Sequence, residues 1–222
     1  MIACLFSGGK DSMLALHKAY AQGLLTELLI TMESENAFSY MFHKPSIAFT
    51  TLQAEALGIK QVFYYTKGEK EKELEDLEKA LVEVGASKLI TGAVASTYQK
   101  SRIEAICNKH GIELLSPLWG INPEEELMEL ASSYDVIITQ VAAEGLDESL
   151  LGKRIDKDMA LRLMDLSKKF GINPLFEGGE AESFVLDAPL FKKRIKIAKA
   201  EKVWKGDYGF YDIKEAYLTE KD

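Results

Sequence analysis

The chain has 222 residues, 47% hydrophobic and 28% charged, with a formal net charge of −8 at pH 7. These proportions are close to those of ordinary folded domains and argue against a disordered or membrane-embedded chain. The acidic balance counts against direct nucleic-acid binding, which depends on accumulated Lys and Arg.

The apolar start, residues 1–6, has no basic leader and is too short for a membrane span, so it reads as a buried first strand. No membrane association is expected. Cys4 and Cys107 form no CxxC pair, which suggests neither a zinc knuckle nor a disulfide framework and fits a reduced, cytoplasmic protein.

The first half alternates short apolar runs with longer amphipathic segments, the pattern of βαβ units around a parallel sheet. Strands are expected at 2–6, 27–32, 61–65, 88–92 and 113–115. Helices are expected at 11–22, 46–57, 69–84 and 99–110, several closed by a glycine such as Gly23, Gly58, Gly85 or Gly111. Within 69–84, Leu74, Leu77, Leu81 and Val84 keep helical spacing beneath alternating Glu and Lys, so the charges read as a solvated face.

The rhythm changes near Pro117-Leu118-Trp119-Gly120. Asn122-Pro123 followed by Glu124-Glu125-Glu126 reads as a new helix start, with acids at its positive end. The expected architecture is therefore α/β, a doubly wound five-stranded parallel sheet at 1–120, followed by a smaller α/β or α+β domain at 121–222. That second domain has an apolar run at 135–141, a helix at 157–170 and β-like segments at 183–186 and 194–204.

Directly after the first strand comes Ser7-Gly8-Gly9-Lys10-Asp11-Ser12, and then Met13, Leu14, Leu16 and Tyr20 begin a helix. At a strand–turn–helix junction the unpaired N–H groups of the helix start and the helix dipole favour an anion. Glycines let backbone approach phosphate oxygens, Ser7 and Ser12 add hydroxyls, Lys10 adds a positive charge, and Asp11 can hold a Mg²⁺ bridging phosphates. The string is neither GxxxxGK[ST] nor GxGxxG. An ordinary serine-capped βα turn would explain Gly8, Gly9 and Ser12 but not the adjacent Lys10-Asp11.

This complete SGGKDS string resembles the PP-loop of the ATP pyrophosphatase superfamily. The resemblance implies an adenine nucleotide α-hydrolase-like (HUP-type) sheet of order 3-2-1-4-5, ATP across the carboxyl ends of the strands, pyrophosphate in the loop and an adenylated intermediate. Met32 and Gly92, at the ends of neighbouring strands, would flank the nucleotide; core packing is the alternative for Met32.

Three further segments resemble the diphthine–ammonia ligase family. They are Gly92 through Glu104, Leu115-Ser116-Pro117-Leu118-Trp119, and Glu177-Gly178-Gly179-Glu180-Ala181-Glu182-Ser183-Phe184 with Asp187-Ala188-Pro189-Leu190-Phe191. The family resemblance implies adenylation of the diphthine carboxylate of translation elongation factor 2 and its amidation with ammonia. It points to Ser96, Tyr98, Gln99 and Arg102, and to Glu177, Glu180 and Glu182, as substrate-binding residues.

The first group could equally be a helix cap and the second an acidic turn. Phe184 and Tyr98 are aromatic candidates for a quaternary ammonium. The segment 33–45, with His43, is long enough for a flap over the nucleotide. A PP-loop enzyme with another carboxylate or tRNA acceptor, and a non-catalytic ATP-binding module, stay open, as does homo-oligomerisation. Diphthamide chemistry in a compact two-domain chain suggests an archaeal source.

Overall fold

A computed structural model describes residues 1–35, 46–69 and 72–221, with the side chains of Tyr98 and Gln99 outside that set. Residues 36–45 of the expected flap, His43 among them, also lie outside the described residues. The chain divides into two compact units. The first comprises Met1–Ser7, Asp11–Ile47 and Gly58–Gly120; the second comprises Gly8–Lys10, Ala48–Leu57 and Ile121–Asp222.

The first unit is built on β1 (Ile2–Leu5), β2 (Leu28–Ser34), β3 (Lys60–Thr66), β4 (Lys88–Ile90) and β5 (Glu113–Leu115). All neighbours pair in parallel, in the order β3-β2-β1-β4-β5. Ala3, Cys4, Leu29, Ile30, Leu89 and Ile90 are fully buried in the central strands, as expected for a sheet covered on both faces.

Parallel pairing requires crossovers, and helices α1 (Lys10–Ala21), α3 (Lys72–Glu83) and α4 (Thr97–His110) supply three of the four. On α3 the expected stripe holds: Leu77 and Leu81 join Ala80 in a core with Leu28, Ile30, Leu89 and Ile103, and Leu74 and Val84 pack at its margin. The opposite face carries exposed ion pairs such as Lys79 with Asp76.

In the second unit, α2 (Thr50–Leu57) accompanies α5 (Pro123–Ser133), β6 (Asp135–Val141), α6 (Lys157–Phe170), β7 (Ala181–Asp187), β8 (Arg194–Trp204) and β9 (Gly209–Thr219). The four strands form an antiparallel sheet of order β7-β6-β9-β8, so this half is α+β. Helix α5 starts as expected: the Asn122 side chain accepts from the N–H groups of Glu124 and Glu125, with Pro123 at the first helical position. Helix α6 ends on Gly171 at φ 72, whose N–H donates to the Ser167 carbonyl oxygen.

Strand β9 was not anticipated. Its exposed Lys214 and Glu215 and half-exposed Asp212 interrupt the apolar alternation, while only Gly209 and Ile213 are buried, so hydropathy alone does not mark it. Pairing with β8 from Trp204↔Gly209 to Arg194↔Thr219 supplies the hydrogen bonds that hold it.

Candidate nucleotide site at the glycine-rich loop

In the first unit, Phe6 continues β1, its N–H donating to the Ile30 carbonyl oxygen at 2.8 Å. The Thr31 hydroxyl donates to the Phe6 carbonyl oxygen at 2.8 Å and accepts from Gln61 Nε2 at 2.8 Å, pinning the strand end from which the loop departs. The Ser7 N–H donates to Ser12 Oγ at 3.3 Å, and the two hydroxyls lie 3.3 Å apart, so these serines close the loop on themselves. Asp11 follows at the positive end of α1.

Gly92, just beyond β4, abuts this helix start. A Cβ on Gly92 would lie 2.7 Å from both the Asp11 carbonyl carbon and the Ser12 nitrogen, atoms that cannot swing aside. Met32 is buried in the β2 core beside Leu77 and Leu81. Ser96 opens α4 by accepting the Lys100 N–H at 3.0 Å, and Arg102 lies half-buried one turn on. The Lys100 ammonium sits 4.0 Å from the Trp119 ring centroid, joining the α4 segment to the Leu115–Trp119 segment.

The second unit holds Gly8 and Lys10. Gly8 has φ 75, and its carbonyl oxygen accepts from Gln53 Nε2 at 2.9 Å and from the Val185 N–H at 3.1 Å. Gln53 Nε2 also donates to the Val185 carbonyl oxygen at 2.7 Å; two carbonyl acceptors fix which way the amide faces. The Lys10 N–H donates to Ser183 Oγ at 3.1 Å.

The Lys10 side chain is only 1% exposed, and its Nζ lies 3.6 Å from Oε1 of Glu126, which is 0% exposed. The Phe176 ring centroid is 5.8 Å from the same Nζ. Phe176 has φ 66, the one non-glycine residue with positive φ among those described.

The acidic segment divides by role. Glu180 Oε1 accepts the Asn173 N–H and Oε2 the Gly178 N–H, both at 2.8 Å, so this carboxylate ties the glycine turn. Glu177 lies half-buried before the turn, and Glu182, also half-buried, stands on β7 opposite Gln140. Phe184 is buried within a continuous buried run, residues 183–186 of β7.

Four site residues escaped sequence reasoning: Gln53, Glu126, Phe176 and Ser183. The signal for Glu126 was positional, because it stands four residues before buried Leu130 and next to buried Leu127, on the inward face of α5. Gln53 stands likewise four residues before buried Leu57.

Burial pushes the Cys4 thiol up to about 12, and burial together with the Glu104 charge pushes Cys107 up to about 11. A thiolate nucleophile at neutral pH is therefore disfavoured at both. Among the described residues no group of three or more His, Cys, Asp or Glu gathers as a metal cage, and no helix is long and apolar enough to cross a membrane.

Residues 1–114 match the family model described as the diphthamide synthase N-terminal domain, and residues 122–219 match that of the C-terminal domain. The chain belongs to the diphthamide synthase family.

Among its relatives, the diphthine–ammonia ligase of Bos taurus is 37% identical over 98% of this chain and 89% of its own length. That of Mus musculus is 34% identical over the same shares. A solved structure described as a "predicted subunit of tRNA methyltransferase" from Methanocaldococcus jannaschii aligns over 85% of this chain and 97% of its own at 20% identity, with a TM-score of 0.44. The curated relatives of this diphthamide synthase family member are eukaryotic, which leaves the archaeal expectation without support from them.

Proposed function

We propose that the protein is an ATP-dependent, AMP-forming amide ligase that acts on the diphthine carboxylate of translation elongation factor 2, with ammonia as nitrogen donor. The observation that carries this reading is the loop itself. A buried lysine opens α1 inside a complete SGGKDS string, in a chain whose relatives are named diphthine–ammonia ligase over nearly its full length.

A carboxylate at neutral pH repels nucleophiles and has no good leaving group. In this mechanism a substrate carboxylate oxygen attacks the α-phosphorus of ATP, the bond to the bridging oxygen breaks, and pyrophosphate departs. Ammonia then attacks the acyl carbon, the C–O bond to AMP breaks, and the nitrogen loses a proton.

The chain's part is electrostatic and positional. The Ser7 and Ser12 hydroxyls and the N–H groups opening α1 offer donors to the departing phosphates, and Lys10 supplies positive charge. The close approach of Gly92 to Asp11 and Ser12 lets the neighbouring strand end reach the nucleotide without a side chain intervening.

Asp11, in the first turn of α1, is the loop carboxylate suited to Mg²⁺, a hard cation usually held by one or two carboxylates plus substrate phosphates. When bound, Mg²⁺ would neutralise phosphate charge. Met32 and Gly92 are assigned to the nucleotide. Ser96, Tyr98, Gln99, Arg102, Glu177 and Glu182 are assigned to the protein substrate, with Glu180 shaping the turn between the last two.

We assign residues 1–120 to ATP binding and 121–222 to substrate recognition, in a cytoplasmic protein. Mass spectrometry of diphthine-bearing elongation factor 2, after incubation with the protein, ATP, Mg²⁺ and ammonia, tests the reading. Amidation with stoichiometric AMP and pyrophosphate is expected; AMP formation with small carboxylic acids alone would move the acceptor elsewhere.

A further inference from the structure

Strand β2 runs on past β1. Its pairing with β1 ends at Leu5↔Ile30, while its pairing with β3 continues to Ser34↔Thr66. Thr31 is therefore the first residue of β2 beyond the ladder it shares with β1, at the level where the glycine-rich loop departs. It is 0% exposed, and a hydroxyl so far from water needs its hydrogen bonds supplied by the fold.

Both are supplied. Gln61 Nε2 donates to Thr31 Oγ1 at 2.8 Å, so the hydroxyl's own proton goes to its other neighbour, the Phe6 carbonyl oxygen, also at 2.8 Å. Shape alone does not call for threonine here, because valine fills the same space and suits a strand as well. What valine lacks is the hydroxyl, and that hydroxyl is directed at the last carbonyl before the loop.

A peptide bond is planar and trans, so a carbonyl and the following N–H point in opposite directions. With the Phe6 oxygen drawn toward β2, the Ser7 N–H points away from it and donates to Ser12 Oγ at 3.3 Å. A loop that cradles an anion does so by presenting N–H groups; a peptide turned over would present a carbonyl dipole of the wrong sign. The adjacent Gly8 and Gly9 place little steric barrier on such a turn. In the second unit the Gly8 carbonyl oxygen is also engaged, by Gln53 Nε2 and the Val185 N–H.

We infer that Thr31 is a positioning residue for the glycine-rich loop: its hydroxyl holds the Phe6 carbonyl against β2, so that the peptide opening the loop cannot turn its oxygen toward a bound phosphate. Thr31 acts through the Phe6–Ser7 peptide and need not touch the nucleotide. The consequence for phosphate binding rests on the ligase reading above; the hold on the Phe6 carbonyl does not.

Two variants of the full-length protein test this. Thr31→Val keeps the shape without the hydroxyl, and Thr31→Ser keeps the hydroxyl without one methyl. If packing is what matters, Thr31→Val should be the better enzyme; if the hydroxyl matters, Thr31→Ser should be. Thr31→Val should lower kcat/KM for ATP in AMP formation about tenfold, with Thr31→Ser within about threefold of wild type. Equal losses in the two folded variants, or Thr31→Val at the wild-type rate, overturn the inference.

Hydrogen exchange reads the peptide itself. The Ser7 amide should exchange at least about tenfold faster in Thr31→Val than in wild type, with a smaller change at Leu29 in the centre of the sheet. Unchanged Ser7 exchange in Thr31→Val overturns the inference.

Should Thr31→Val fail to fold, wild type and Thr31→Ser decide: a protected Ser7 amide with near-wild-type activity in Thr31→Ser supports the role, whereas an unprotected wild-type Ser7 amide, or a folded Thr31→Ser with negligible rate, counts against it. If wild type forms no AMP with any acceptor, the ligase reading falls, and calorimetric titration with inorganic pyrophosphate replaces the kinetics. Binding about tenfold weaker in Thr31→Val but near wild type in Thr31→Ser then supports the role, and a wild type that binds no pyrophosphate overturns it.

Discussion

Gln53 Nε2 donates to the Gly8 carbonyl oxygen at 2.9 Å, and the same side chain occupies the space that a Cβ on Gly8 would need. The built Cβ would sit 2.4 Å from Gln53 Oε1 and 2.7 Å from Thr50 Cγ2, on a backbone already at φ 75. The Gln53 amide oxygen thus lies against the bare Cα face of Gly8, a contact only glycine permits.

Gly8→Ala should therefore be destabilised by about 2–4 kcal/mol, adding left-handed strain to overpacking. Gly171→Ala makes the comparison: φ is 72 there too, but nothing lies within 4 Å of the added methyl, so the cost should be about 1 kcal/mol. Denaturant titration of both separates the terms; equal losses would mean that Gln53 and Thr50 yield easily.

Gln53→Leu removes the donor from two buried carbonyl oxygens and should cost about 2–3 kcal/mol. Gln53→Glu would set a carboxyl against the Gly8 and Val185 oxygens, tolerable only while protonated. Its folded-state ionisation would be pushed above the ordinary carboxyl range, so stability should be present at low pH and fall as pH rises through that range. Thermal melts at pH 5 and pH 8 check this, with Gln53→Glu expected to melt lower at pH 8 relative to wild type.

At Gly92 a methyl would press on the backbone of Asp11 and Ser12, 2.7 Å away, with no side chain able to yield. Gly92→Ala should displace the first turn of α1 and reduce ATP-dependent AMP formation at least about tenfold, since small misplacements of positioning groups carry large rate costs. Far-UV circular dichroism should stay near wild type. Full activity in a folded Gly92→Ala protein would remove this contact from the site.

Glu180→Ala leaves the Asn173 and Gly178 N–H groups without their carboxylate and should cost about 2 kcal/mol, charged acceptors being the stronger kind. Glu180→Gln retains one acceptor and should fall between. Hydrogen exchange at the Gly178 amide reads the effect directly: fast in Glu180→Ala, slow in wild type.

Both thiols ionise harder in the folded chain than near their ordinary 9.0, at about 12 for Cys4 and about 11 for Cys107, because burial disfavours the thiolate. The unfolded chain releases those protons first, so stability should hold below pH 9 and decline from there toward pH 11–12. Tyr134, also pushed up chiefly by burial, acts in the same direction. Comparing wild type with a Cys4→Ala, Cys107→Ala double variant at pH 8 and pH 10 tests this; the double variant should lose less between the two.

Much of the architecture was readable because the relevant patterns are local. Asn122-Pro123 announces α5, the apolar residues Val136, Ile137 and Ile138 of β6 announce a buried strand, and Leu77 and Leu81 announce the inner face of α3. Strand β9 was not readable, because its support comes from pairing with β8 while its own residues are mostly half-exposed.

The site divided in the same way. Ser7 through Ser12 are contiguous and stand out as one motif, whereas Glu126 and Gln53 reach Lys10 and Gly8 from 116 and 45 residues away, respectively. Glu126 looked like one of three helix-start acids, and only burial distinguishes it from Glu124 and Glu125.

The loop's six letters are held in shape by residues far outside them. A sister chain could keep SGGKDS intact yet lose Glu126, Gln53 or Ser183 by drift, and a motif search would pass it as competent although its lysine had neither counter-charge nor anchor. The string and its supports are free to drift separately in this fold, so sister chains are better compared at Glu126, Gln53 and Ser183 as well as at the six letters.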